Sequence, residues 1–168
     1  MHAQQRDAAP GRALCLNMIV KNEAAIIERC LAATAPVISS WVICETGSSD
    51  GTPDRIRAFF AARAIPGQLH TIAFDDFAQA RNDALAHCLA SPLAFDYVLF
   101  ADADMELVVE SADFASRLGA DAYRLRQRNA IAYWNLRMLR RGVAARYVGP
   151  THEYLAVEGN VEQLDDLW

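Results

Sequence analysis

The sequence predicts an α/β fold on a mixed, mainly parallel sheet with a β-rich C-terminal third, on three observations. Apolar runs and amphipathic stretches alternate as far as Phe100, as parallel strands and their crossover helices do. Those runs are apolar throughout, the pattern of strands covered on both faces. Beyond Asp121 the helical rhythm stops, and short strand-like stretches follow one another with only glycine and proline turns between them. With 168 residues, 53% of them apolar and 22% charged, this is one ordinary globular domain with a core that needs no disulfide or metal staple. The domain is expected over 13–168, after a flexible tail over 1–12 that is polar and bears Ala, Pro and Gly.

The first run, 13–20 (ALCLNMIV), is broken only by Asn17. In the helical stretch that follows, Ile27, Cys30, Leu31 and Thr34 keep the i, i+3, i+4, i+7 spacing, with Asn22 as the expected N-cap. A second strand, 41–44, empties into the polar loop Glu45-Thr46-Gly47-Ser48-Ser49-Asp50-Gly51-Thr52-Pro53. Thr52 is placed there to cap a helix whose first residue is Pro53 and whose buried face carries Ile56, Phe59 and Phe60. A third strand is expected at 70–74. After it comes a helix lined on one side by Phe77, Ala80, Ala84, Leu85, Cys88 and Leu89. Tyr97 to Phe100 (YVLF) forms a fourth strand, apolar throughout and so expected at the centre of the sheet. Stretches 122–128, 133–140, 146–148 and 154–157 are expected as antiparallel or mixed strands appended to the same sheet.

Sixteen basic against 21 acidic side chains give a net charge of −5, which argues against a general nucleic-acid binder. Every basic residue but Lys21 is an arginine, and Arg124, Arg126 and Arg128 alternate along one strand as a solvated face. Cys15, Cys30, Cys44 and Cys88 show neither C-x-x-C nor zinc-ligand spacing and read as buried free thiols, which suits a cytoplasmic protein. No apolar stretch reaches the roughly 20 residues a bilayer crossing needs, and no signal-peptide core is present.

In open α/β sheets, ligands bind outside the carboxyl ends of the strands. Three polar loops fall at such ends: 21–23, 45–50 and 101–104. Asp102 and Asp104 follow directly on YVLF, and alternate residues of extended backbone can share one hard cation; an acidic turn opening a helix is the alternative. The 45–52 loop offers backbone N–H groups, hydroxyls such as that of Ser48, and a helix N-terminus, which suit a phosphate or a polar nucleotide edge as well as they suit plain capping. It carries neither a P-loop nor a dinucleotide fingerprint. Arg81 stands at the edge of an apolar helix face, either in a structural ion pair or where it would neutralise a diphosphate. His152 and Glu153 pair an imidazole with a carboxylate in a turn after Gly149-Pro150-Thr151.

Taken in order, LCLNMIVKNEAAIIERCL, ICETGSSDGTPDRI, ARNDAL, YVLFADADMEL and then YWNLRMLRR with VGPTHEYL resemble the family 2 glycosyltransferases. The resemblance is to the branch with KNE, TGSxDGT, ARN and DxD-like motifs, and it covers about residues 13–157. It implies a GT-A fold, a Rossmann-like three-layer sandwich that binds a nucleotide-diphosphate sugar, a UDP-sugar foremost, and a divalent cation, Mn2+ or Mg2+. Asp104 then stands nearest the metal and Asp102 nearer the ribose or metal shell, with His152 completing the metal or diphosphate site. Glu45 and Asp50 match acidic positions of the base- and ribose-binding loop, although the family pattern usually has Asp at position 45. Asn22 and Glu23 match the polar end of the first strand.

The implied chemistry is inverting transfer to an acceptor that the residues do not identify, with Glu153 as candidate base and Glu106 or a carboxylate beyond Trp168 as rivals. Relatives are expected to continue past Trp168 into a segment that helps close the acceptor side. Trp134 and Tyr133 would offer a platform for a sugar face, or pack an edge strand. Two other readings stand beside this one. A haloacid-dehalogenase-type phosphohydrolase also sets D-x-D after an apolar strand, but near the start of its fold. A sugar-nucleotide-binding module would bind donor without turnover.

Overall fold

The computed structural model describes residues 11–128, 131–150 and 152–168. Strands β1 (Leu14–Val20), β2 (Ser40–Glu45), β3 (Gly67–Thr71) and β4 (Tyr97–Phe100) are mutually parallel in the order β3-β2-β1-β4. Their carboxyl ends therefore share one edge. Both faces are covered, which is why the runs are apolar throughout. Leu14, Leu16 and Met18 of β1 pack with Ile43 and Leu99 in one core, beneath α1 (Ile27–Thr34) and α2 (Thr52–Ala61). Cys15, Val42 and Val98 pack on the other side, with Leu85 and Cys88 of α3 (Phe77–Ala90). Asn17, the polar break in β1, is buried and donates through Nδ2 to Val42 O (2.9 Å) and Ala84 O (3.0 Å), tying strand to helix.

Several boundaries differ from expectation, each for a local reason. The third strand starts three residues early because the Trp41 indole lies over Gly67, where any Cβ would run into the ring. Asn22 does not cap α1: it has φ +55°, and a turn in which Ile26 and Ile27 N–H donate to Glu23 O precedes the helix. Gly51 at φ +87° takes the N-cap position of α2, so Thr52 is already helical. Asp76 caps α3 by accepting from Gln79 N–H at 2.8 Å. This turns Phe77 outward, 47% exposed and edge-to-face with Phe74, and away from the buried side.

The last third divides in two. Strands β5 (Ala122–Arg128) and β6 (Ala132–Arg140) continue the main sheet through antiparallel pairing of β6 with β4. Strands β7 (Ala145–Val148) and β8 (Tyr154–Val157) instead form a separate hairpin, fastened to α3 by Asn82, whose side chain both donates to Tyr147 O and accepts from Tyr147 N–H. A ninth strand, β9 (Val161–Leu164), which was not expected, pairs parallel with β5. The full order is β3-β2-β1-β4-β6-β5-β9, with β4 central.

Of the expected tail, residues 1–10 lie outside the described residues. Gly11 and Arg12 belong to the fold, since Arg12 N–H donates to Ala115 O and Gly11 packs against Ala115. All four cysteines are buried free thiols, and burial pushes Cys30 and Cys44 up to about 12. Among the described residues, no helix is long and apolar enough to cross a membrane.

Candidate functional site

The first two polar loops are joined by hydrogen bonds at the carboxyl edge. Asn22 N–H donates to Ser48 Oγ (3.1 Å) and Asn22 Oδ1 accepts from Ser49 N–H (2.8 Å). Glu23 N–H donates to Thr52 Oγ1 (2.8 Å) and Ala24 N–H to Asp50 Oδ2 (2.9 Å). Glu45 is buried and turned back on its own loop, its Oε2 accepting from Gly47 and Ser48 N–H, both at 2.8 Å. Those bonds, Ser48 N–H foremost, hold its carboxyl below the usual range against the effect of burial. The Thr52 hydroxyl does the same for Asp50. Glu23 is displaced the other way, first by burial and then by the negative charges of Asp104 and Asp50. The edge is thus a hydrogen-bonded polar rim with a negative field around Glu23, Asp50 and Asp104.

Beside this rim, a charged network joins the two halves of the molecule. Asp102 Oδ1 accepts from Arg81 Nη2 at 2.8 Å and Oδ2 from Arg137 Nη2 at 3.1 Å. Arg81 also donates from Nε to Glu153 Oε1 at 2.7 Å. Burial pushes the Asp102 carboxyl up, but Arg137 and Arg81 together outweigh it and hold the group below the usual range. Burial also opposes the charge of Arg81, yet its carboxylate partners raise it further still.

Arg137 was not singled out from the sequence. It is the extra residue of a β-bulge, because Tyr123 stands opposite Met138 while Arg124 stands opposite Leu136. Bulges re-aim side chains. Leu99 faces Met138, so Arg137 lies one step on, level with the end of β4 and beside Asp102. The signal in the sequence was a lone arginine between apolar residues, LRML.

Asp104 is exposed at the same edge, and Arg29 meets only its backbone oxygen, at 3.3 Å. His152 is exposed with φ +58° on the approach to β8, and Thr151 lies outside the described residues. No group of three His, Cys, Asp or Glu side chains poised for a metal occurs among the described residues, so Asp102, Asp104 and His152 are not gathered as a ligand set. Glu106 is exposed and paired with Arg29 at 2.9 Å. Trp134 is half-buried opposite Arg126, while Tyr133, 40% exposed, lines a cavity of about 480 Å3 that Asp104 and Arg137 also line.

No family model matches the chain. A TPR repeat-containing protein of Synechococcus elongatus is 38% identical over 96 residues, 57% of this chain and 21% of its own length. Residues 1–349 of Staphylococcus aureus TarS superpose with a TM-score of 0.56 at 17% identity, covering 70% of this chain and 36% of that one. The same TarS region in complex with UDP gives 0.54 at 16% identity. The fold is that of the GT-A glycosyltransferases. Mycobacterium tuberculosis glucosyl-3-phosphoglycerate synthase in complex with Mn2+, UDP and glucosyl-3-phosphoglycerate overlaps more loosely, with a TM-score of 0.41 at 22% identity over 58% of this chain and 35% of that one. The chain thus spans about a fifth of the curated relative it matches and about a third of TarS 1–349.

Proposed function

We propose that this chain transfers a sugar from a nucleotide-diphosphate sugar, a UDP-sugar foremost, to an acceptor hydroxyl, with inversion at the anomeric carbon. The observation that carries this is the joined rim of loops 21–24 and 45–52 standing next to exposed Asp104 at the carboxyl edge of a GT-A fold. In open α/β sheets that edge is where nucleotides lie. The rim, with Asn22, Glu23, Ser48 and Asp50, receives the base and ribose, and Glu45 keeps its glycine turn in shape. A divalent cation, Mn2+ or Mg2+, suits Asp104, because such ions are commonly held by one or two carboxylates together with substrate phosphates. Bound there, such a cation would supply positive charge to offset that of the departing diphosphate.

Asp102 holds the guanidiniums of Arg81 and Arg137 at the end of β4, where they face the same developing charge. In the transfer, the acceptor oxygen forms its bond to the anomeric carbon as the bond to the diphosphate breaks on the opposite side. The acceptor proton passes to a carboxylate: Glu153, whose Oε1 is engaged by Arg81 and whose Oε2 would take it, or Glu106, which lines the cavity beside Asp104. His152 and Trp134 remain candidates for the diphosphate and sugar ends of the donor.

Calorimetric titration with UDP and with UDP- and GDP-sugars, in Mn2+ or in EDTA, tests this beside Asp104→Asn. Binding that needs the metal and is lost in the variant is expected. Absence of binding by every nucleotide would overturn the proposal, and binding without transfer to any acceptor would leave a sugar-nucleotide-binding module.

A further inference from the structure

The 480 Å3 cavity beside Asp104 shares Asp104 and Arg137 with the donor chemistry above, which leaves the rest of its lining unused. Its volume falls in the usual range for a small-molecule pocket, about 300–1,000 Å3. Three features define what it would take. Its walls are largely apolar, from Leu99 and Ala101 at the end of β4, Leu107, Leu125 and the Trp168 indole. Trp168 is a fixed wall: its backbone exchanges hydrogen bonds with Val108, its Nε1 donates to Glu110 at 2.7 Å, and Arg128 lies 4.3 Å over its ring.

The charged lining residues come from two places. Asp104 and Glu106 follow β4 and meet Arg29 of α1, while Arg126 and Arg128 come from β5, with Arg128 over the Trp168 ring. Arg137, 9% exposed, also lines the cavity, its guanidinium held on Asp102 and Gln127.

We infer that this cavity is the acceptor pocket, and that it takes an amphipathic anion: a hydroxyl at one end, an apolar body, and an oxyanion at the other. The inference rests on the proposed transferase reading of the neighbouring edge. The hydroxyl lies toward Asp104, where the donor's anomeric carbon would be. The apolar body fills the space between Leu107, Leu125 and Trp168, and the oxyanion meets Arg128. Guanidinium bonds to oxyanions are roughly twice as strong as neutral ones, so the charged end sets selectivity.

The test uses the full chain and two fluorescent probes, 6-hydroxynaphthalene-2-sulfonate and 2-naphthol, which differ by the sulfonate. The sulfonate is expected to bind one per chain, at least about tenfold more tightly than 2-naphthol, and to keep its affinity at saturating UDP. Arg128→Glu should remove that preference while leaving 2-naphthol and UDP binding unchanged. Leu107→Trp, which fills the space, should abolish both probes and keep UDP binding. Equal affinities for the two probes, sulfonate binding that survives Leu107→Trp, or displacement of the probe by UDP would each overturn the assignment. Calorimetry of UDP alone separates the two proposals: if the probes behave as expected and no nucleotide binds, the transferase reading fails and the cavity remains an anion pocket.

Discussion

The parallel half of the sheet and the mixed half beyond Asp121 contribute to the same edge by different routes. In the parallel half, Asn22, Asp50, Asp102 and Asp104 lie in loops that follow buried strands and are placed by their own short segments, while Arg81 comes from α3. In the mixed half, Arg137 and Glu153 reach the edge through distant pairings: a bulge between β5 and β6, and a hairpin hung on α3 by Asn82. Asp102 and Arg81 from the first half meet Arg137 and Glu153 from the second in one network. Local motifs therefore build the rim, while tertiary pairing builds the charge balance beside it.

The sharpest way to break this junction is Asp102→Asn, which leaves Arg137 without its carboxylate and Arg81 with Glu153 alone, both guanidiniums being less than 15% exposed. Removing one partner of a buried pair costs about 3–5 kcal/mol, and with a quarter of the Asp102 side chain exposed the expected loss is on the order of 3 kcal/mol in urea unfolding. Acid makes the same change reversibly. Because the folded carboxyl of Asp102 titrates below its ordinary value, its stabilisation is complete above about pH 4 and is lost as pH falls through the lowered folded value. The gap between wild type and Asp102→Asn should therefore close in unfolding curves taken from pH 5 downward. A gap that persists at the lowest pH would show that Asp102 acts through packing.

Asn82→Ala tests the hairpin alone. It removes two hydrogen bonds to the Tyr147 backbone, at 3.0 and 2.8 Å, worth about 2 kcal/mol together. Amide exchange in β7 and β8 should accelerate while that of β1 and β2 stays slow. The smallest expected effect is in the rim. Gly47 has φ +94° with nothing within 4 Å of an added methyl group, so Gly47→Ala carries backbone strain alone, about 1 kcal/mol in thermal unfolding. A cost well above that would mean the loop is held more tightly than the Glu45 bonds account for.

The polar loops and strands β1, β2 and β4 were legible because each depends on a run of neighbouring residues with a single period. Asn22 looked like a cap because its type favours caps; its side chain instead bonds Ser49 across the gap between loops, a partner 27 positions away. Phe77 looked buried because it is apolar, but the Asp76 cap fixed the helix phase that turns it outward. The short polar stretch VEQL gave no strand signal, since β9 is ordered by its pairing with β5.

By itself, then, the sequence determined the α/β class, the succession of strands and helices along the first half and which loops would bear polar groups, because hydrophobic period and turn chemistry act over a few residues. Only the tertiary structure decided that Asp102 is held by two arginines, that Arg137 is one of them and that a cavity opens next to Asp104. Those outcomes depend on the register between β4, β5 and β6, where a single bulged residue changes which side chain faces the edge.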